Sequence, residues 1–403
     1  MARPTKVGLV LAGGGARGAY EVGVLSVLLP ALEQRGERPT VVVGASVGAI
    51  NAVYLAGTAG VGAADAMKGA RELWRGIELH EVIRPMVGSQ AVLSGLRYLG
   101  ESLNVPGVRL FSLLDPAPLA DKLDRSISWD DIHRNADNGK LDAVGVVATS
   151  AATSRSVVFM EGAPLPESDR SRGIDYVRTR LRPDHVRASA AIPVVFPAVE
   201  IDEPAEARGW YFDGGTRLNT PIKPAIKLDV DRVVVIGLSS VADGPPRETA
   251  KRPDFADGGL QLLHATLVDP LVHDIQSLAK RNELLAQVRS DHSSETTSAP
   301  YRLLPYIFVA PGPENDFGKI ASEIYKRHYR LPRRGLRSLD LTVLGRLVDG
   351  DDPMHGELLS YLFFAPEFLE ELISLGREDA RRYLDSEADP WRLEPLRDRP
   401  IKK

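Results

Sequence analysis

The chain has 403 residues, 43% hydrophobic and 26% charged, with no cysteine. That length supports a large core without staples, and the missing thiols exclude disulfides, thiolate metal sites and a cysteine nucleophile. A net charge of −4 gives no bulk attraction to nucleic acid or to an anionic bilayer.

In chain order, residues 6–12 read as a buried strand, 19–34 as a helix, 39–43 as a strand and 49–56 as a helix. Buried apolar runs joined by helices imply a parallel sheet covered on both faces. The first run breaks at once into glycines, so no secretory leader is expected. Residues 41–64 carry no charge and are long enough to span a bilayer. Their Gly, Ala, Ser and Thr content and Asn51 fit a strand, a sharp turn and a buried helix better. Further strands are expected over 142–149, 156–160, 232–238 and 306–310. Polar loops over 162–173, 241–258 and 289–300 separate them, the last poor enough in apolar residues to resemble a disordered segment. From about Ile320 the pattern is helical, with helices over 358–364 and 368–384 and Pro366 at the start of the second. There is no internal repeat.

Three motifs carry chemistry. Gly13-Gly14-Gly15-Ala16-Arg17-Gly18 lies between a strand and a helix. It satisfies G-x-G-x-x-G, a weak dinucleotide signal by itself, and no carboxylate ends the second strand to hold a ribose. Amides turned outward at a helix N-terminus suit an anion, either a phosphate or a developing oxyanion. A plain packing turn is the alternative.

Gly44-Ala45-Ser46-Val47-Gly48 is the G-x-S-x-G nucleophile elbow in the strand-to-helix setting it requires. A helix cap is the alternative role for Ser46. Asp213-Gly214-Gly215 follows the aromatic run Trp210-Tyr211-Phe212. Burial beside aromatics would raise the carboxyl pKa and make it a better base near neutrality; an ordinary Asp-Gly turn is the alternative.

Histidine is the usual base for a serine nucleophile. The chain offers His80, His133, His185, His264, His273, His292, His328 and His355. A Ser–acid–His order would need Ser46, Asp213 and His264 or His273. Neither histidine has a glycine-rich or strand-end setting. All eight read as surface or structural residues.

Taken together and in this order, the three motifs resemble the patatin-like phospholipase family. Ala188-Ser189-Ala190-Ala191-Ile192-Pro193, Phe196-Pro197, Asn219 and Pro221 are also similar to it. So is the tail from Tyr361-Leu362-Phe363-Phe364 to Gly376-Arg377-Glu378-Asp379-Ala380. The resemblance implies a three-layer α/β/α fold with a mainly parallel sheet and a Ser–Asp dyad acting as a lipid acyl hydrolase. Carried over, Ser46 is the nucleophile and Asp213 its base. Gly13, Gly14 and Gly15 supply the oxyanion hole, and Gly44, Gly48, Gly214 and Gly215 the supporting turns. Arg17 holds the loop or meets a lipid phosphate.

On this reading residues 1–320 form the catalytic core and residues 321–403 a helical extension packed on it. No metal or cofactor is required. The expected partners are a lipid substrate and a transient membrane surface, with no nucleic acid; the expected location is the cytoplasm or the membrane periphery. Residues 79–114 are a candidate lip over the membrane, and Lys326, Arg327, Arg330, Arg333, Arg334 and Arg337 a candidate patch for anionic headgroups or a nucleotide. A packed loop and a solvated helix face are their respective alternatives. The competing functions are a soluble carboxylesterase or acyltransferase, and an effector silent until a partner or ligand activates it.

Overall fold

A computed structural model describes residues 5–77, 125–240, 276–285, 303–329 and 353–393, apart from residues 163, 194, 195, 281, 313, 314 and 387. The segment 79–114, the loops 241–258 and 289–300, and Arg330, Arg333, Arg334 and Arg337 of the basic cluster lie outside the described residues.

Nine strands form one sheet among the described residues. They are β1 (Val7–Leu11), β2 (Val41–Ala45), β3 (Ala143–Ser150), β4 (Ser156–Gly162), β5 (Ile174–Arg178), β6 (Val199–Ile201), β7 (Gly209–Asp213), β8 (Arg232–Ile236) and β9 (Tyr306–Val309). The order is β5-β4-β3-β2-β1-β8-β9, with β7 paired to β3 and β6 to β7. The centre is parallel: β1 pairs with β2 and β8, β2 with β3, and β8 with β9. β3 pairs antiparallel with both β4 and β7. β1 and β2 are buried along their whole length and β8 from Val233 on, as continuous β-branched runs require when both sheet faces are covered.

The helices are α1 (Gly18–Gln34), α2 (Val47–Gly57), α3 (Ala63–Arg75), α4 (Trp129–Asp137), α5 (Pro183–Ser189), α6 (Gly215–Leu218), α7 (Ile222–Lys227), α8 (Phe317–His328), α9 (Pro353–Leu362) and α10 (Pro366–Ser386). One face of the sheet packs against α1, α2, α3 and α10, and the other against α7 and the stretch around Leu278. The result is three layers. The helical tail lies along the core: α10 packs on α1, where the Tyr20 hydroxyl donates to Asp379 at 2.9 Å. Among the described residues no helix is long and apolar enough to cross a membrane.

The expected strands and both expected N-terminal helices are present, the second starting at Val47. The helix expected over 358–364 runs from Pro353 to Leu362 instead. Helices α3, α4 and α5 and the short strands β5 and β6 were not foreseen. Helix α5 has seven residues, about two turns, too few to display a helical period.

Candidate active site

The register of the sheet brings Ser46 and Asp213 to one place. β2 and β3 run parallel, with Ala45 opposite Val147. One residue further along β3, Ala148 lies opposite Asp213 of the antiparallel β7. Strand β4 occupies the other edge of β3 across both positions. The ends of β2 and β7 therefore meet head to head, and the residues at those ends are Ser46 and Asp213.

Ser46 has φ +52° and ψ −125°, a strained conformation for a non-glycine residue that only surrounding structure can hold. Gly44 and Gly48 permit the turn. A Cβ on Gly44 would lie 2.1 Å from the Gly48 carbonyl oxygen, and one on Gly48 2.4 Å from that of Leu11. Ser46 occupies the N-cap position of α2 but makes no capping hydrogen bond with its side chain. The capping alternative therefore fails, and the hydroxyl is left for other work.

Residues 189–191 bolt the two sides together. The Ser46 N–H donates to the Ser189 hydroxyl at 2.9 Å, and that hydroxyl donates to the Val147 carbonyl at 2.5 Å. The Ser189 carbonyl accepts from Gly214 N–H at 3.1 Å, and the Ala191 carbonyl from Asp213 N–H at 2.9 Å.

Asp213 is completely buried, whereas Ser46 keeps 5% of its surface exposed. Burial pushes the Asp213 carboxyl up to about 7, partly opposed by the Ser46 hydroxyl and the Gly215 N–H. Its Oδ1 accepts that N–H at 2.6 Å. Oδ2 is buried and makes no hydrogen bond. Nucleophile–base pairs often tighten only when substrate is bound. Among the described residues no histidine bonds either side chain; His133 contacts Glu161, and buried His185 accepts from Arg182 N–H.

The glycine loop borders Ser46. The Gly13 N–H donates to the Asn219 carbonyl at 3.1 Å, and Asn219 Nδ2 donates back to the Gly13 carbonyl at 3.3 Å. This corrects the expectation for Gly13: its amide is already committed and cannot meet an oxyanion. The amides of Gly14 and Gly15 have no acceptor among the described residues. Gly15, at φ +58°, lines the cleft above Ser46.

Arg17 also departs from one expectation. It is 1% exposed and ion-paired to Glu357 at 2.6 Å. A guanidinium so enclosed has no surface for a lipid phosphate.

The cleft holds a cavity of about 70 Å³ that opens to solvent at its mouth. Val47 and Ile50 of α2, Leu73 and Trp74 of α3, and Ile192 and Phe196 wall it. Tyr361, Leu362 and Phe364 of the tail close it.

Beneath the loop is a polar chain that sequence reasoning missed. Glu21 accepts from Ala12 N–H and from Asn51 Nδ2, both at 2.8 Å; Asn51 Oδ1 accepts from Trp74 Nε1 at 2.9 Å. Burial raises the Glu21 carboxyl to about 8, so it is mostly protonated at neutral pH. The available signal was the single charge between residues 18 and 32 of α1, a stretch otherwise almost wholly apolar.

A mostly parallel α/β sheet carrying a serine elbow beside an apolar cleft is a frame suited to acyl chemistry. The chain belongs to the patatin-like phospholipase family, whose model matches residues 9–226. No protein of curated function matches it. Among solved structures it is similar to VipD from Legionella pneumophila, with 14% identity and a TM-score of 0.36, covering 96% of this chain and 67% of that one. It is also similar to human GIVD cytosolic phospholipase A2 in complex with methyl gamma-linolenyl fluorophosphonate, with 16% identity and a TM-score of 0.38, covering 96% of this chain. The chain spans 59% of the length of that human structure.

Proposed function

We propose that the protein cleaves fatty-acyl esters of phospholipids or lysophospholipids through Ser46 and Asp213. The observation that carries this reading is the strained, uncapped Ser46 beside a buried carboxyl whose pKa sits at about 7. An ordinary aspartate, near 3.9, is a poor base; one titrating near the working pH is a good one.

Ser46 Oγ attacks the ester carbonyl carbon as its proton passes to Asp213. The carbonyl π pair moves onto oxygen, where the Gly14 and Gly15 amides meet it. Each fixed donor of this kind contributes about 3 kcal/mol to the transition state. The bond to the alcohol oxygen then breaks, and that oxygen takes the proton from Asp213. Water, deprotonated by Asp213, attacks the acyl-Ser46 ester; the bond between the acyl carbon and Ser46 Oγ breaks, Oγ takes the proton back from Asp213, and the fatty acid leaves. The apolar cleft takes the acyl chain. Residues 1–320 act as the catalytic core, and residues 321–403 complete the site from outside it.

Ser46→Ala and Asp213→Asn should each remove phospholipid hydrolysis while circular dichroism stays unchanged. Wild-type turnover by either variant contradicts the reading.

A further inference from the structure

The family model ends at residue 226, yet the glycine loop is held by residues about 130 positions beyond it. Arg17 follows the loop directly and inserts into α9. Its Nη2 pairs with Glu357 Oε1 at 2.6 Å and donates to the Glu357 carbonyl at 3.2 Å. Its Nε and Nη2 donate to the Ser360 hydroxyl at 2.9 and 2.5 Å. That hydroxyl donates to the Glu357 carbonyl at 2.6 Å. The guanidinium carbon sits 3.9 Å from the Tyr361 ring centroid.

The loop itself touches the same helix. A Cβ on Gly15 would lie 2.1 Å from the Tyr361 carbonyl oxygen. Directly past this contact, Tyr361 and Leu362 reach the cleft that opens over Ser46. One short helix thus grips the arginine, fixes the backbone of Gly15 and walls the cleft.

We infer that Glu357 and Ser360 are positioning residues for the oxyanion loop, acting through Arg17 to aim the Gly14 and Gly15 amides. The C-terminal tail is then a component of the acyl-transfer site. A planar guanidinium held by an ion pair, several hydrogen bonds and a ring face has one orientation available. Its backbone follows the loop amides by two residues. Loss of the grip leaves the amides able to drift, and a misplacement near 1 Å costs about 100-fold in rate. This inference rests on the Ser46–Asp213 reading.

The test compares full-length wild type, Glu357→Gln and Ser360→Ala. Three quantities are read: kcat and KM on a short acyl ester, and the rate of phosphonylation of Ser46 by a short-chain fluorophosphonate. A short chain keeps the cleft wall out of the measurement. Both variants should lose about 10- to 100-fold in kcat with KM nearly unchanged, and phosphonylation should slow in parallel. Folded variants with wild-type kcat and labelling rate overturn the inference and leave the Ser46 reading standing. A wild type that neither turns over nor labels at Ser46 overturns that reading and this one with it. Should Glu357→Gln fail to fold, Ser360→Ala decides alone, because it removes hydrogen bonds without stranding a charge.

Discussion

The backbone N–H of Ser46 donates to the side chain of Ser189, 143 residues away, at 2.9 Å. The same Ser189 holds Gly214 through its carbonyl. One residue therefore sets the spacing between the elbow and the aspartate turn. Its removal leaves the Ser46 N–H and the Val147 carbonyl without a partner in a buried setting, at about 1–3 kcal/mol for each group. Ser189→Ala should lower stability on this scale in urea unfolding and reduce kcat more than tenfold. A variant with unchanged kcat would show that the spacing is held elsewhere.

The acid limb of activity should report Asp213. As a base it works only when deprotonated, and its carboxyl titrates at about 7. The kcat/KM of the free enzyme should rise with pH through that value and level off above it. A limb near pH 4, as for an exposed carboxylate, would contradict the burial.

The same shift makes a stability prediction of opposite sense. A carboxyl raised in the folded state binds more protons there than in the unfolded chain, so stability falls as pH rises between the two pKa values. For Asp213 the window runs from 3.8 to about 7, a cost of about 4 kcal/mol above it. For Glu21 it runs from 4.5 to about 8. Asp213→Asn should be more stable than wild type at pH 9, and the gain should shrink toward pH 4. Urea unfolding across that range measures it.

Alanine at Gly44 should abolish folding of the elbow. The added carbon would sit 2.1 Å from the Gly48 carbonyl oxygen, a backbone atom that cannot swing aside. Gly36 is the control: at φ +70° it has nothing within 4 Å of the added carbon. Gly36→Ala should cost only the left-handed penalty of about 1–2 kcal/mol. Thermal unfolding and esterase assays of the pair separate steric exclusion from backbone strain.

The cleft should set chain length. Ile50→Trp fills space beside Ser46 without touching a hydrogen bond of the site. For a long-chain ester kcat/KM should fall at least about tenfold, while a short-chain ester is hydrolysed as before. Equal losses on both would place the acyl chain elsewhere.

Much of this was legible in the residue order. The β-branched runs at 41–43 and 232–236 read best as buried strands, and the glycines around Ser46 pointed to the elbow. The roles of Ser189, Glu21 and Glu357 were not legible. Each acts through a contact with a residue distant in the chain, and a lone Ser or Glu looks alike in a cap, on a surface or under a loop. Arg17 shows the same limit: an arginine beside a glycine loop suits a phosphate as well as a carboxylate, and only the packing of α9 decides. The oxyanion role of the Gly13 amide comes from the family resemblance, and its competitor, the Asn219 carbonyl, lies 206 positions away in the chain.

The decisive measurement is to trap the covalent intermediate. The enzyme is mixed with an acyl ester, quenched with acid during turnover, digested, and mapped by mass spectrometry. The acyl group should appear on the peptide bearing Ser46, and Ser46→Ala should show none. An acyl group on another side chain, or steady turnover with none trapped on any residue while Ser46→Ala remains fully active, contradicts the account.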